Sequence, residues 1–217
     1  MSVLQARDLY RFFHTETDEV IALRGVSLDA DSGELVVVLG PSGSGKSTLL
    51  ACLGGIDEPD GGAVYACGER MSHRPEREKA SLRARRFGIV MQSDNLVAHL
   101  TVRDNVTLAS RLGGSRASPA DALGRLGIAE RSWAVPSELS GGEAVRAAVA
   151  AAVAKHPAIV LADEPTAEVD EDAETGIADL MRGVAASGAA VVVATHSRRL
   201  AERADRVLHL RDGVIDA

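Results

Sequence analysis

Unbroken apolar runs are the clearest feature of the hydrophobic pattern. Residues 35–39, 159–162 and 189–194 consist almost wholly of Val, Ile, Leu and Ala. Such runs are typical of parallel strands that are buried on both faces of a sheet. Shorter or more mixed patterns predict further strands at residues 20–28, 63–67 and 88–91, and a terminal hairpin over residues 207–215.

Helical patterns separate these runs. A helix is predicted from about Lys46 to Gly54, and a long alanine-rich helix begins near Gly142. Further helical patterns fill residues 96–137 and are broken by glycine and proline. Strands that alternate with helices predict an α/β fold, a parallel sheet with helices on both faces. We expect a single domain over residues 1–217, with a helical insertion at roughly residues 95–150.

Composition and charge narrow the possible functions. The chain has 217 residues, a formal charge of −7 and only 3% aromatic residues, so Ala, Val, Leu and Ile must build its core. The acidic balance disfavours a nucleic-acid binder, which usually has a net basic face, and no nucleic-acid partner is expected. Two cysteines are too few for a disulfide framework and favour a reducing cytosol.

We expect a protein that does not cross a membrane. The first residues have no apolar run of signal-peptide type. The most apolar helical segment, residues 144–154, is interrupted by Arg146 and is shorter than the roughly 20 residues that a bilayer span requires.

A glycine-rich segment follows the first apolar strand and precedes a helix. Residues 40–47 read Gly-Pro-Ser-Gly-Ser-Gly-Lys-Ser, which matches the phosphate-loop pattern G-x-x-x-x-G-K-[ST] in full. Glycines allow successive N–H groups to point at phosphate oxygens, and the helix N-terminus favours anions. Lys46 is expected to bridge the β- and γ-phosphates, Ser47 to bind Mg²⁺ and Thr48 to contact the α-phosphate. The predicted nucleotide-binding residues are Gly40, Pro41, Ser42, Gly43, Ser44, Gly45, Lys46, Ser47 and Thr48.

Two carboxylates end the apolar strand at residues 159–162. Ligands of open α/β sheets bind beyond the carboxyl ends of strands, so Asp163 should face the metal. Glu164 is placed to polarise an attacking water as general base. The alternative, for the pair taken alone, is two solvated carboxylates at a strand end, since such acids are common.

His196 follows another apolar strand and Thr195. An imidazole in this position could reach the γ-phosphate of a bound nucleotide and sense its loss. A lone histidine is more often an ordinary surface or core residue.

The segment Leu-Ser-Gly-Gly-Glu at residues 139–143 precedes the alanine-rich helix. Here the chain resembles the ABC ATPase cassette, whose signature is L-S-G-G-[QE]. The order of phosphate loop, Gln92, signature, Asp163 with Glu164, Asp170 and His196 is that of the whole cassette. The resemblance implies a P-loop NTPase core, an N-terminal antiparallel β subdomain and an inserted helical subdomain.

The resemblance also implies a two-fold dimer that holds Mg-ATP between two copies of the chain. The signature would act on the partner's ATP through a helix N-terminus, with Ser140, Gly141, Gly142 and Glu143. Gln92 matches the family glutamine that contacts Mg²⁺, beside Ser47 and Asp163. Asp170 matches an aspartate of the dimer interface. Phe13 is expected to stack on adenine, with Phe12 as the rival and a core role as the alternative.

A narrower resemblance is to the lipoprotein-release and macrolide-export branch of the family. The stretches at residues 92–101 and 161–166 carry it. There are departures: Ala167-Glu168-Val169 stands where the branch usually has Gly-Asn-Leu, and Ala144-Val145 where it has Gln-Gln. These changes leave the core chemistry intact and put the tuning of dimer contacts and hydrolysis rate in doubt.

The implied function is that of an ATPase subunit that energises an ABC-type membrane transporter or mechanotransmission complex. The resemblance implies an integral-membrane permease as partner, and a cytoplasmic location on the inner face of the cell membrane. The alternative is a soluble ABC ATPase acting on ribosomes or DNA. The single cassette, the lack of sustained heptads and the acidic charge disfavour that alternative.

Overall fold

The computed structural model describes residues 2–14, 19–167 and 169–216. Two β-sheets and two groups of helices form its layers. Within these residues no helix combines the length and apolar character that a membrane span would need.

The first sheet is antiparallel and has four strands in the order β2-β1-β4-β5. Its strands are β1 (Ser2–His14), β2 (Glu19–Asp31), β4 (Gly61–Ala66) and β5 (Glu69–Arg70). The sequence pattern does not reveal β1, because a bulge interrupts its alternation. Asp8 has a φ of 49° and the pairing register shifts between Ala6 and Leu9, so apolar residues on either side of Asp8 fall out of phase.

The second sheet has six strands in the order β10-β9-β3-β8-β7-β6. All neighbouring pairs are parallel except the terminal hairpin of β9 and β10. Its strands are β3 (Leu35–Leu39), β6 (Phe87–Val90), β7 (Ile159–Asp163), β8 (Ala190–Thr195), β9 (Arg206–Arg211) and β10 (Val214–Asp216). The carboxyl ends of β3, β7 and β8 therefore meet at one edge.

Seven α-helices connect the strands in the described part of the chain. They are α1 (Lys46–Leu53), α2 (Glu76–Arg86), α3 (Val102–Leu112), α4 (Pro119–Arg125), α5 (Gly141–Val153), α6 (Glu171–Ala186) and α7 (Arg198–Glu202). Helices α3, α4 and α5 lie between β6 and β7 in the chain, where the helical insertion is predicted. Gly113 ends α3 and Pro119 begins α4, at the two breaks in the helical pattern.

The core has two parts, one on each face of the parallel sheet. Leu35 and Val37 of β3 face α5 and α6, while Val36 and Val38 face α1 and the antiparallel sheet. The same alternation in β7 and β8 leaves both faces of the central strands buried. The buried central strands and the helices packed on both faces thus hold the carboxyl end of the sheet in place, and the candidate site lies there.

Candidate functional site

The loop between β3 and α1 has the geometry of an anion cradle. Gly43 and Gly45 have φ values of 79° and 102°, a backbone conformation that residues with a Cβ atom rarely adopt. Helix α1 begins at Lys46 with no side-chain cap on its first amides from the described residues. Free amides at a helix N-terminus attract anions. The backbone is therefore arranged for phosphate groups.

Close packing holds this loop against two strands. A Cβ at Gly40 would stand 2.2 Å from the carbonyl oxygen of Leu210, and one at Gly45 would stand 2.4 Å from that of Ala22. The amide of Gly213 also donates to the carbonyl of Ser44 at 3.1 Å. Gly40 and Gly45 are required because no larger residue fits at either position. The shape of the loop therefore depends on its contacts with the terminal hairpin and with β2.

Lys46 is buried, with 6% of its surface exposed. Its Nζ donates to the carbonyls of Gly40 at 2.9 Å and Pro41 at 3.1 Å, and lies 3.3 Å from Oε1 of Glu164. The ammonium group is therefore held directly over the loop, where two carbonyls and a carboxylate offset its desolvation.

Asp163 ends β7 and points into the same region. It is 5% exposed, and its Oδ1 has no hydrogen-bond partner among the residues that the structure describes. Burial raises the pKa of Asp163 above its usual value, and a hydrogen bond from Ser47 acts in the opposite direction. An orphaned carboxylate oxygen beside a hydroxyl is a donor set that Mg²⁺ accepts, so these residues fit that ion.

Glu164 follows on a strained turn, with a φ of 45°. Its amide donates to the carbonyl of Ala194 at 2.8 Å, which fixes the turn to β8. Its Oε2 accepts a hydrogen bond from Thr195 Oγ1 at 3.0 Å, and His196 Nδ1 lies 3.0 Å from the same oxygen. The carboxylate is thus clamped between Lys46 on one side and Thr195 with His196 on the other.

A cavity of about 830 Å³ opens over these groups. Phe13, Ser47, Gln92, Glu164 and His196 belong to its lining, with Ser42, Gly43, Gly45, Lys46 and Thr48 of the loop. Its size lies within the roughly 300–1,000 Å³ that small-molecule sites occupy. The structure therefore brings most of the predicted nucleotide-binding residues to one cavity. Asp163 lies beneath this cavity, where it is hydrogen-bonded to Ser47 of the lining.

Phe13 and Phe12 occupy different places. Phe13 lines the cavity and is 39% exposed, and the guanidinium of Arg11 lies 4.6 Å from its ring centroid. Phe12 instead stacks on Tyr10, with ring centroids 6.4 Å apart.

Gln92 lies on the exposed segment after β6 and reaches the cavity. Asn95 closes this segment, since its side chain accepts from the amide of Met91 at 2.6 Å and donates to the carbonyl of Met91 at 2.7 Å. Asn95 therefore shapes the turn that presents Gln92.

The signature residues lie elsewhere. Ser140 caps α5, accepting from the amide of Glu143 at 3.4 Å, while Glu143 accepts from the amide of Ser140 at 2.9 Å. The Ser140 amide and Arg131 hold the pKa of Glu143 below its ordinary value. Within the described part of the chain, the lining of the 830 Å³ cavity includes none of Ser140, Gly141, Gly142 or Glu143. Ser140 and Gly141 are exposed, whereas Gly142 is buried and Glu143 is half-buried.

Asp170 caps the next long helix. Its carboxylate accepts from the amide of Ala173 at 2.8 Å at the start of α6, and the residue is exposed. Of the segment that departs from the branch pattern, Ala167 lines the cavity and Val169 is half-buried, whereas Glu168 lies outside the described residues.

Sequence reasoning missed two side chains that shape the site. Thr195 donates to Glu164, and Arg11 lies over Phe13 and is itself held by Asp57 at 2.8 Å. A polar residue at the carboxyl end of an apolar strand was the available signal for Thr195. Arg11 gave no local signal, because the carboxylates that hold its guanidinium, Asp57 and Asp60, lie 46 and 49 residues further along the chain.

Comparisons with known proteins show the family to which the chain belongs. The family model described as ABC transporter matches residues 23–167. The chain is similar to the lipoprotein-releasing system ATP-binding protein LolD of Pseudomonas fluorescens, with 39% identity over 98% of this chain and 96% of that protein. It is also 39% identical to the macrolide export ATP-binding/permease protein MacB of Brucella melitensis, of which it covers 34%.

A solved structure gives the same result. A dimeric ATP-binding cassette in a post-hydrolysis state, bound to ADP and Pi, is 31% identical, with a TM-score of 0.90 over 99% of this chain and 97% of that one. The predicted α/β cassette fold and the resemblance to the lipoprotein-release and macrolide-export branch are confirmed. On its sequence and its fold, the chain belongs to the ABC transporter family of ATP-binding cassettes.

Proposed function

We propose that this chain is the ATP-hydrolysing subunit of an ABC-type membrane complex, and that two copies bind two ATP molecules between them. The observation that carries the proposal is the separation of two half-sites. The phosphate loop, Lys46, Glu164 and His196 meet at one cavity with Asp163 beneath it, while Ser140 and Gly141 of the signature turn are exposed and lie outside its lining. A chain with both half-sites apart needs a second copy to close either.

The triphosphate binds along the loop. Backbone amides of Gly43, Gly45 and the start of α1 receive the β- and γ-phosphates, with Lys46 over them. In the structure the ammonium contacts two loop carbonyls and Glu164. Phosphate oxygens replace these weaker partners, which places the charge of Lys46 where negative charge develops during phosphoryl transfer.

Hydrolysis uses Glu164 as the general base. Its carboxylate takes a proton from a water whose oxygen forms a bond to the γ-phosphorus, while the bond from that phosphorus to the β–γ bridging oxygen breaks. The products are ADP and phosphate. Thr195 and His196 hold one carboxylate oxygen, at 3.0 Å each, and so orient the base toward the cavity.

Mg²⁺ is the proposed cofactor. Ser47, Gln92 and Asp163 would hold it, on the strength of the orphaned Asp163 Oδ1 and its neighbour Ser47. The ion, when bound, neutralises charge on the phosphate oxygens.

Dimerisation follows from the cap geometry of α5. The two amides after Ser140 lie at a helix N-terminus and suit a γ-phosphate of the other copy. ATP that bridges both chains stabilises the dimer, and hydrolysis weakens it. Asp170 is the proposed contact across the interface.

The work of the complex is done through a membrane partner. The relatives of the same branch are named for lipoprotein release and macrolide export, and one carries its permease in the same polypeptide. The chain is therefore proposed to act at the inner face of the cell membrane, bound to an integral-membrane permease. Affinity purification from detergent-extracted membranes should recover that permease with the chain.

The deciding experiment replaces Glu164 by Gln. The variant should bind ATP but lose at least about a hundredfold in hydrolysis, since the base is absent. ATP should then double the molar mass in light scattering. Glu130→Gln, an exposed carboxylate in a short 3₁₀ turn, is the matched control and should hydrolyse ATP normally. Undiminished phosphate release by Glu164→Gln rejects the proposed base.

A further inference from the structure

A second cavity, also of about 830 Å³, lies at the opposite edge of the parallel sheet. Ala158, Val160 and Ala189 line it near the amino ends of β7 and β8, whereas the nucleotide cavity lies at their carboxyl ends. The ends of α2 and α4, together with α5 and α6, supply the remaining walls. The two cavities share no lining residue among those that the structure describes.

The floor of this second cavity is apolar. Leu126 and Val184 are each 8% exposed, and Val160 is fully buried. Two glycines of α6, Gly176 and Gly183, leave room along one wall, since an added Cβ at either position would meet nothing within 4 Å. The groove can therefore take an apolar chain without displacing protein atoms.

The rim carries four guanidinium groups, those of Arg85, Arg86, Arg125 and Arg146. Across the described ranges none of the four forms an ion pair. Arg85 donates to the Ser81 hydroxyl and Arg125 to the carbonyl of Asp121 at 3.3 Å, and the buried Nε of Arg146 has no partner there.

The carboxylate in the lining does not balance this charge. Asp179 is bonded to Arg203 at 2.7 Å. A concentration of unpaired positive charge in a chain of net charge −7 creates a local field that favours an anion.

We propose that this cavity binds an anionic amphiphile, a molecule with a carboxylate or phosphate head and an apolar chain. Guanidinium groups bind both heads through paired N–H donors, and the floor receives the chain. The volume lies within the roughly 300–1,000 Å³ of small-molecule sites, which favours a small ligand over a macromolecule. The inference goes beyond ATP hydrolysis, because none of these residues touches the nucleotide cavity.

The test compares ligands that share one tail length. Calorimetry with the full chain would use decanoate, decyl phosphate, decanol and decylammonium below their micelle concentrations, and inorganic phosphate alone. Decanoate and decyl phosphate should each bind one site per chain, and decanol and decylammonium at least about tenfold more weakly. Inorganic phosphate should not compete with decanoate, because it has no apolar chain for the floor. The proposal is overturned if all four ten-carbon ligands bind with equal affinity, or if none of them binds.

Variants locate the site. Gly183→Leu should fill the groove and weaken decanoate at least about tenfold, while Gly124→Leu, on α4 and also open at Cβ, should not. Both changes favour helix, so folding is retained and is checked by thermal melting. The double change Arg85→Gln with Arg125→Gln should weaken decanoate but not decanol, and Arg77→Gln on the same α2 should change neither. Unchanged affinity in Gly183→Leu and in the double variant overturns the proposal.

A last arm separates this site from the nucleotide cavity. Saturating Mg-ATP should not displace decanoate, and Lys46→Ala should bind it normally. Competition by ATP would place the amphiphile in the nucleotide cavity and refute the second site, while leaving the proposed ATPase function untouched.

Discussion

The phosphate loop and the signature turn are both glycine-rich starts of helices, yet they are built differently. At α1 the loop amides have no side-chain cap from the described residues, and a buried lysine and two carboxylates converge on the space before them. At α5 Ser140 and Glu143 cap each other, and Arg131 pairs with Glu143 at 2.9 Å. The first start is shaped for a ligand by its own chain, whereas the second is stable and exposed.

Because of this difference, the α1 site is ready to bind its ligand within one chain, whereas the α5 turn requires a second chain. Uncapped amides are costly unless an anion binds, and the ammonium of Lys46 is already held over them, so the α1 site is arranged for its ligand before the ligand arrives. The α5 turn has already satisfied part of its hydrogen-bonding capacity through the reciprocal cap of Ser140 and Glu143. It gains a role only when a second chain brings a phosphate to it.

The largest expected effect comes from removing the ammonium. Lys46→Ala should lower phosphate release by roughly a hundred- to a thousandfold, the loss typical of a single preorganised charge stabiliser. Lys46→Arg keeps the charge but should recover little, because a planar fork cannot match two loop carbonyls that now accept from one Nζ. Steady-state assays of both variants measure this. Full activity of Lys46→Ala would mean that the α1 site is not arranged as described.

The signature turn is tested by blocking it. Ser140→Arg in the Glu164→Gln background should abolish the ATP-driven doubling of mass in light scattering, since a long side chain fills the space of the partner's phosphate. The change also removes a helix cap, worth about 1 kcal/mol of stability. Thr101→Arg removes the cap of α3 in the same way and should still dimerise. A Ser140→Arg chain that dimerises with ATP would show that the two half-sites do not meet.

The parts of the site that could be predicted are those encoded by consecutive residues. Only local backbone geometry is needed to form the loop at residues 40–47, the pair of acids at the end of β7 and the turn at residues 139–143. The amino-acid sequence of each segment is therefore enough to predict it. Contacts between distant segments could not be predicted in this way. Thr195 on Glu164 depends on strand order and register, Arg11 meets Asp57 across 46 residues of chain, and the four arginines of the second cavity come from three separate helices.

The same reasoning explains the fold. The central strands were predictable because burial on both faces makes them continuously apolar. Strand β1 was not, because its bulge at Asp8 changes which residues face inward, and only pairing with β2 and β4 reveals this.

The orphaned acid beneath the loop has a measurable effect on stability. Burial raises the pKa of Asp163, so the native state holds that proton more tightly than the unfolded chain does. Stability is therefore lost as pH rises from the ordinary value of about 3.9 through the raised native value. Asp163→Asn should make the nucleotide-free protein more stable at neutral pH by roughly 1 kcal/mol, the order of cost of an unsatisfied buried group.

Chemical denaturation at several pH values checks this. The gain from Asp163→Asn should disappear below the ordinary pKa, where both states are protonated, and the added stability from Mg-ATP should fall in the same variant. Asp121→Asn, an exposed carboxylate in the first turn of α4, should show no gain. A loss of stability in nucleotide-free Asp163→Asn at neutral pH would contradict the view that the α1 site carries an unpaired charge.

The smallest effect on activity is expected from substitutions at Phe13, the residue proposed to stack on the adenine base. Phe13 lines the cavity with Arg11 over its ring, and Asp57 and Asp60 hold that guanidinium. An aromatic stack contributes about 0.5–1.5 kcal/mol, so Phe13→Ala should raise KM for ATP roughly two- to tenfold with little change in kcat. Phe13→Tyr should retain the wild-type KM because it keeps the ring. Phe12→Ala should also leave KM unchanged, since Phe12 stacks on Tyr10 instead. If Phe12→Ala raised KM and Phe13→Ala did not, the two rings would have exchanged roles, and the α1 site would bind adenine through the other strand face.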